Sequence, residues 1–449
     1  MLSNIYWRPL VSNIVETYTN KFAKSNELYQ KVRQVIPTGG HLSRDVKPFP
    51  VAVEEATGVI KKDLDGNQLI DYMTGYGALI LGNSHPEVIE EVKKRLVTGT
   101  HMGTIHPLEL EWAEMVKKLI PSAERVRFTG TGTESTLLAM RLARAYTGKH
   151  KIVKFREHFH GWHDYASPGA GITEQTGIPA ETMTGTLVIE PNIDELSGVL
   201  ESRDDIAAVI LEPTGGHWGQ YPIQNPYFLS NVRELTKKHN VVMIMDEVIC
   251  GFRISKGGAQ AKFSVTPDLT TMAKIVAGGM PGGAVAGKAE VMDQLSFELG
   301  SNRVDHHGTF NANPATAAAG IATLKILDRD PINSHADAMS IRLKAGLNEQ
   351  LSKYEVKGHA HGVASIVHIL LDVECSCDGY MCTLDHSEIA RSCKTYSGAV
   401  KMAMLNEGVD MMGGIGFMVS GVHDENTIDS TSEAFGNALK ALRADGIIR

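Results

Sequence analysis

The chain has no apolar run of the roughly 18 residues that a membrane-spanning helix requires. Its first stretch, MLSNIYWRPLVSNIVETYTNKF, lacks a charged region followed by an apolar core. It therefore does not read as an export signal, and a cytoplasmic location is expected. Cysteine is scarce: there are five in 449 residues, an odd set that does not describe the disulfide framework of a secreted protein. An excess of positive charge is missing too. A formal net charge of −8 leaves no general basic face for nucleic acid and favours the handling of small molecules.

What the chain does have is length, and a texture that changes along it. At 449 residues it exceeds one ordinary hydrophobic core, so two or three domains are expected. Residues 22–36 carry helical periodicity and stop at Pro37-Thr38-Gly39-Gly40. Short alternating runs follow, split by Asp65-Gly66, and predict a small antiparallel meander. From about residue 86, helical patterns at 107–120 and 133–147 alternate with the apolar runs KIVKF, IAAVILEP and VVMIMDE. That alternation predicts an α/β protein whose mostly parallel sheet is covered on both faces, with functional groups at the carboxyl ends of its strands. The expected division is an N-terminal segment 1–85, a large domain 86–332 and a C-terminal small domain 333–449.

Four features at those strand ends point to one chemistry. FTGTGTES (128–135) sets glycines and hydroxyls before a helix, a place where backbone N–H groups and the helix dipole receive an anion. HFHGWHD (158–164) follows a strand, and Phe159 beside a glycine suits a loop that lays an aromatic against a planar ring. Its three histidines stand in a loop without a second ligand cluster, so no metal is assigned to them. Asp246 ends the apolar run VVMIMDE, where a carboxylate needs a cation or several donors. Lys274, in TTMAKIVAGGMPGGA, has small and apolar neighbours that would lower its pKa and keep it nucleophilic. An anion cradle, an aromatic stacker, a strand-end Asp and a secluded Lys together match the needs of pyridoxal 5′-phosphate.

In the order and spacing of GTGTES, FHGWHD, ILEPTGG, MIMDEVICGFR, DLTTMAKIVAGGMPGGAVAG and HHGTFNANPATAAAG, the chain resembles the class III, fold-type I pyridoxal-phosphate aminotransferases. It is most similar to the branch holding glutamate-1-semialdehyde aminomutase and the β-amino acid aminotransferases. The resemblance runs from about residue 30 to the C-terminus. It implies a seven-stranded large domain, a smaller α+β domain built from both termini, and a homodimer. It further implies that Lys274 is the Schiff-base lysine and Asp246 the pyridinium partner. Thr131, Gly132 and Thr133 would bind phosphate, with Thr309 contributing from the neighbouring subunit. Phe159, His160, Glu212 and Val248 would surround the ring. Phe159 stands where the family usually has Tyr, and Thr131 where it usually has Ser.

The resemblance also bears on substrate. Arg44, in PTGGHLSRDVKPFP, matches the carboxylate anchor of β-amino acid aminotransferases, while Lys47 falls closer to the position used by the aminomutases. The stretch 167–192 has the glycine content of a mobile loop and departs from the aminomutase pattern, as does EPTGGHWGQYP with its bulky His217 and Trp218. These departures lead to the expectation of an aminotransferase that takes an amino group from a carboxylate-bearing amine, a β-amino acid, and gives it to a 2-oxo acid. Intramolecular aminomutation is the alternative. CSCDGYMCTLDHSEIARSC (375–393) gathers Cys375, Cys377, Cys382, Cys393 and His386. Without paired CxxC knuckles, small half-buried thiols are the expectation there rather than a metal site.

Overall fold

A computed structural model describes residues 13–40, 47–170, 176–223, 225–375, 382 and 384–449, excepting the side chains of His217 and Trp218. Arg44 and Cys377 lie outside the described residues, and so does the role expected of Trp218. Three sheets organise the chain. The meander is β1 (Val53–Thr57), β2 (Ile60–Asp63) and β3 (Gln68–Asp71), antiparallel as expected.

The large sheet is built from β4 (Arg125–Thr129), β5 (Lys151–Phe155), β6 (Thr186–Ile189), β7 (Ile206–Leu211), β8 (Val242–Asp246), β9 (Leu269–Ala273) and β10 (Gly283–Gly287). Its order is β4-β10-β9-β8-β7-β5-β6, and only β10 runs against its neighbours. β7, β8 and β9 are buried along their whole length, as continuous apolar strands covered on both faces must be. β6 lies inside 167–192, so part of the stretch expected to be a mobile loop is the edge strand of this sheet. The four residues TLVI are β-branched or apolar and find a partner in β5.

The third sheet, β11 (Gly358–His361), β12 (Ile366–Leu371) and β14 (Gly416–Met418), is antiparallel. β13 (Val409–Asp410) leaves that region to pair in parallel with β3. One apolar core accordingly joins Tyr18, Phe22 and Leu69 to Leu343, Phe417 and Phe435, bringing the two ends of the chain together. Arg253 ties this assembly to the large sheet. Fully buried, it donates to the carbonyls of Gly77 (2.9 Å) and Val419 (2.9 Å) and to Ser365 Oγ (3.3 Å).

Candidate active site

The carboxyl ends of β4, β5, β7, β8 and β9 open into one cavity of about 430 Å³. Its wall carries Thr131, Gly132, Thr133, Phe159, His160, Glu212, Asp246, Val248 and Lys274, so nine of the positions singled out in the sequence meet in one place.

The anion cradle forms because Thr131 caps the helix Gly132–Thr147. Its Oγ1 accepts from Glu134 N (3.3 Å), while Glu134 reaches back to the N–H groups of Gly130 (2.6 Å) and Thr131 (3.1 Å). This capping box leaves the next N–H groups, at Gly132 and Thr133, without intrahelical partners by helix geometry. A Cβ at Gly132 would meet Val248 at 3.0 Å, so glycine is what lets the cradle approach β8. Gly161 has φ +102° and a Cβ there would run into Thr133, whose Oγ1 accepts from Trp162 N at 3.2 Å.

The adjacent carboxylates of Asp246-Glu247 face different tasks. Asp246 is buried, yet three donors converge on it: Val248 N (3.1 Å) and Thr271 Oγ1 (3.0 Å) on Oδ1, and His160 Nδ1 (2.7 Å) on Oδ2. Glu247 turns away and accepts from Ala259 N, Gln260 N and Gln260 Nε2, fixing the chain after β8; burial raises its pKa. Burial also pushes the His160 imidazole down, towards neutrality. With Nδ1–H donating to Asp246, its Nε2 is buried without a hydrogen-bond partner among the described residues.

Lys274 follows directly on β9 and opens a 3-10 turn, Lys274–Ala277. Its φ of +55° is a costly backbone for a side chain with a Cβ. The turn is fixed from beneath, where Trp112 Nε1 donates to Val276 O (2.9 Å) and its ring stacks on Phe128 at 3.8 Å. Desolvation pulls the Lys274 ammonium down to about 8 against the attraction of Asp246 and Glu212, with Arg253 lowering it further.

The three histidines of HFHGWHD take three separate partners. His158 Nδ1 accepts from Glu212 N (2.8 Å), His160 holds Asp246, and His163 Nε2 meets Thr136 Oγ1 at 3.1 Å. Glu212 in turn accepts from Phe159 N at 2.5 Å, which sets the position of the aromatic ring. Lys47 is exposed and absent from the cavity wall, and no arginine lines it among the described residues. Thr309 is exposed and lies off this wall, its carbonyl meeting His101 Nε2 at 2.6 Å.

Sequence reasoning missed Lys154, which is fully buried within β5 and donates to Ala166 O at 2.7 Å. Burial lowers its pKa to about 8, and Glu212, Glu157 and Asp246 oppose that shift. The available signal was a lysine inside the apolar run KIVKF. Thr271 and Cys250 were missed as well; nothing in their type distinguishes them from core residues.

The arrangement fits pyridoxal phosphate on observations internal to the structure: orphan N–H groups at a helix start, a buried carboxylate held by three donors, and a buried lysine whose pKa is lowered to about 8. The family model of the class III aminotransferases matches residues 41–370, and the chain belongs to that family. It is 38% identical over 432 residues to the glutamate-1-semialdehyde 2,1-aminomutase of Ignicoccus hospitalis, covering 93% of this chain and 99% of the relative. Among solved structures it is similar to an omega-transaminase from Sphaerobacter thermophilus, with TM-score 0.84, 30% identity and coverage of 98% and 100%. A glutamate-1-semialdehyde aminomutase from Pseudomonas aeruginosa shares the fold, with TM-score 0.85, 21% identity and coverage of 96% and 97%.

Proposed function

We propose that the chain binds pyridoxal 5′-phosphate in this cavity and moves an amino group within a small carboxylate-bearing substrate of the glutamate-1-semialdehyde type. The observation that carries the chemistry is the pairing of Lys274 and Asp246 on neighbouring strand ends of one cavity. The aminomutase likeness over 93% of the chain carries the substrate class. It puts the intramolecular reaction ahead of the β-amino acid transamination expected from residues 167–192 and 217–218.

When bound, the cofactor supplies an electron sink for negative charge at the substrate carbon. Lys274 Nζ, neutral above about pH 8, would hold the cofactor covalently and then carry the proton to and from the reacting carbon. Asp246 would face the pyridine nitrogen, with His160, Val248 N and Thr271 keeping its carboxylate oriented. Gly132 and Thr133 would donate to the phosphate, and Phe159 would cover a ring face without the hydroxyl of a tyrosine. A substrate carboxylate would be met by a basic residue of the 44–47 stretch, Arg44 or Lys47, as the family resemblance implies, since no arginine lines the wall among the described residues. A second copy of the chain would complete the phosphate site through Thr309. That reading is supported by exposed apolar groups: Ile105, Phe310 against the ring of His101, and Trp162, which lines the cavity yet is 76% exposed.

A second reading, intermolecular transamination, rests on the 30% identity to the omega-transaminase across 98% of the chain. One experiment separates the two. The holoenzyme is given glutamate-1-semialdehyde without any oxo acid, and 5-aminolevulinate is measured. Sustained formation supports the aminomutase; consumption only when an oxo acid is added means transamination.

A further inference from the structure

The cysteine-rich segment 375–393 acquires a partner that its sequence does not contain. β11 brings in His359, from 16 residues before Cys375. Cys375 Sγ and Cys382 Sγ lie 3.4 Å apart, and Cys382 Sγ lies 3.7 Å from His359 Nε2. All three atoms fall within 4.8 Å of one another. His359 and Cys382 are buried and Cys375 is half-buried. His386, which the sequence suggested as a companion, packs instead on Tyr221 at 4.2 Å between ring centroids.

We propose that His359, Cys375 and Cys382 form a binding site for a thiophilic divalent ion, zinc above all. Tetrahedral zinc with metal–sulfur bonds of about 2.3 Å and metal–nitrogen bonds of about 2.05 Å sets its ligands roughly 3.8 Å (sulfur to sulfur) and 3.6 Å (sulfur to nitrogen) apart. The sulfur–sulfur and Cys382–His359 separations differ from those values by about 0.4 and 0.1 Å, and the third pair stays within 4.8 Å, so the three donors are already gathered around one point. Loading replaces two thiol protons by one Zn²⁺. The cluster becomes a neutral bis-thiolate, mono-imidazole complex, two protons leave to solvent, and the fourth position is left to water or a further donor. The ion would join β11, the chain after β12 and the chain just before the helix His386–Asn406, all distant from Lys274 in sequence.

The test uses the holoenzyme, prepared under reducing conditions, loaded with one equivalent of Zn²⁺ and desalted against a weak chelator. One zinc per chain by elemental analysis is expected, with a higher midpoint of thermal unfolding than the chelated protein. Co²⁺ in its place should give tetrahedral d–d bands to the red of the cofactor's absorption. Cys375→Ser, Cys382→Ser and His359→Gln should each lower the affinity by more than about tenfold, while Cys393→Ser keeps it. The wild-type cobalt spectrum stands even if a variant fails to fold. Three results overturn the proposal: no zinc retained by the wild type, equal retention by the ligand variants, or a two-proton mass loss under those conditions that marks a Cys375–Cys382 disulfide.

Discussion

In the cavity, Asp246 is buried among three donors, whereas on the small sheet His359, His361 and His368 are buried in a row with ring centroids 5.4 and 5.7 Å apart. Both regions remove titratable groups from water, and the cost of doing so is met differently. The cavity surrounds the carboxylate of Asp246 with oriented donors, which is how preorganised electrostatics are built. On the small sheet burial lowers His359, and burial, with His368 and His359 adding to it, drives His361 well below the ordinary histidine value. The first arrangement suits chemistry near neutral pH. The second suits packing or a metal, and is exposed to acid.

The largest effects should come from breaking the cavity's pairing. Lys274→Ala should lower turnover by about four orders of magnitude through loss of the proton carrier, while the variant still binds cofactor by absorbance. Normal turnover in that variant would end the mechanistic reading. Asp246→Asn keeps size and most hydrogen bonds but removes the charge. A drop of about 100- to 1,000-fold in kcat is expected, with a much smaller change in KM. Cofactor uptake by the apoprotein, followed by absorbance, should accelerate as pH rises through about 8, because the Lys274 amine is then neutral. A flat profile across pH 7–9 would place the controlling group elsewhere.

Acid should act on the histidines of both regions. His163 is pushed down to about 4 and His423 to about 3, and His160 and His361 are also lowered, all chiefly by burial. Their unfolded-state values lie near 6.5, so below that pH the unfolded chain binds more protons than the folded one. The stability they leave intact above about 6.5 is lost as pH falls towards the folded values. Each such histidine contributes about 1.4 kcal/mol per pH unit in that window. Urea midpoints measured from pH 7 to 5 would show the slope, and zinc should steepen it if His359, Cys375 and Cys382 are ligands, because the unfolded chain takes back the protons that loading releases.

Much of the cavity was legible in the sequence because its chemistry is local. A strand's last residue, a helix cap and a glycine-rich turn are all written within a few positions of the group they place. Asp246, Lys274 and Thr131 were found that way. What escaped depends on neighbours far along the chain. Lys154 reads as one polar residue inside an apolar strand until the fold buries it and brings Ala166 O within its reach. Thr271 gains its role only by lying in register with Asp246 on β8. β6 itself was hidden in a glycine-bearing stretch, and His359 stands on another strand from the cysteines it joins. Proximity across strands has no signature in a single sequence.

Arg253 tests whether the two regions are mechanically joined. It lies at the end of the MIMDEVICGFR motif and donates to Gly77, Ser365 and Val419. Arg253→Met should cost about 3 kcal/mol, since two buried carbonyls lose their donor at about 1–3 kcal/mol each and removal of a buried charge recovers part. A denaturation curve checks the loss, and one that splits into two transitions would mark Arg253 as the joint between large and small sheets.

The smallest expected effect concerns Thr131. Its hydroxyl caps the helix and also faces the cradle, so Thr131→Ala removes a cap worth about 1 kcal/mol while Thr131→Ser preserves it. If the cap is the whole of its role, the Ala variant loses stability and keeps its affinity for pyridoxal phosphate. If the hydroxyl also donates to phosphate, affinity falls as well, by about tenfold for one charge-assisted hydrogen bond, and Ser restores both. Equilibrium titration of the two apo variants with cofactor, read beside their urea midpoints, separates positioning from binding at the one residue where the cradle does both.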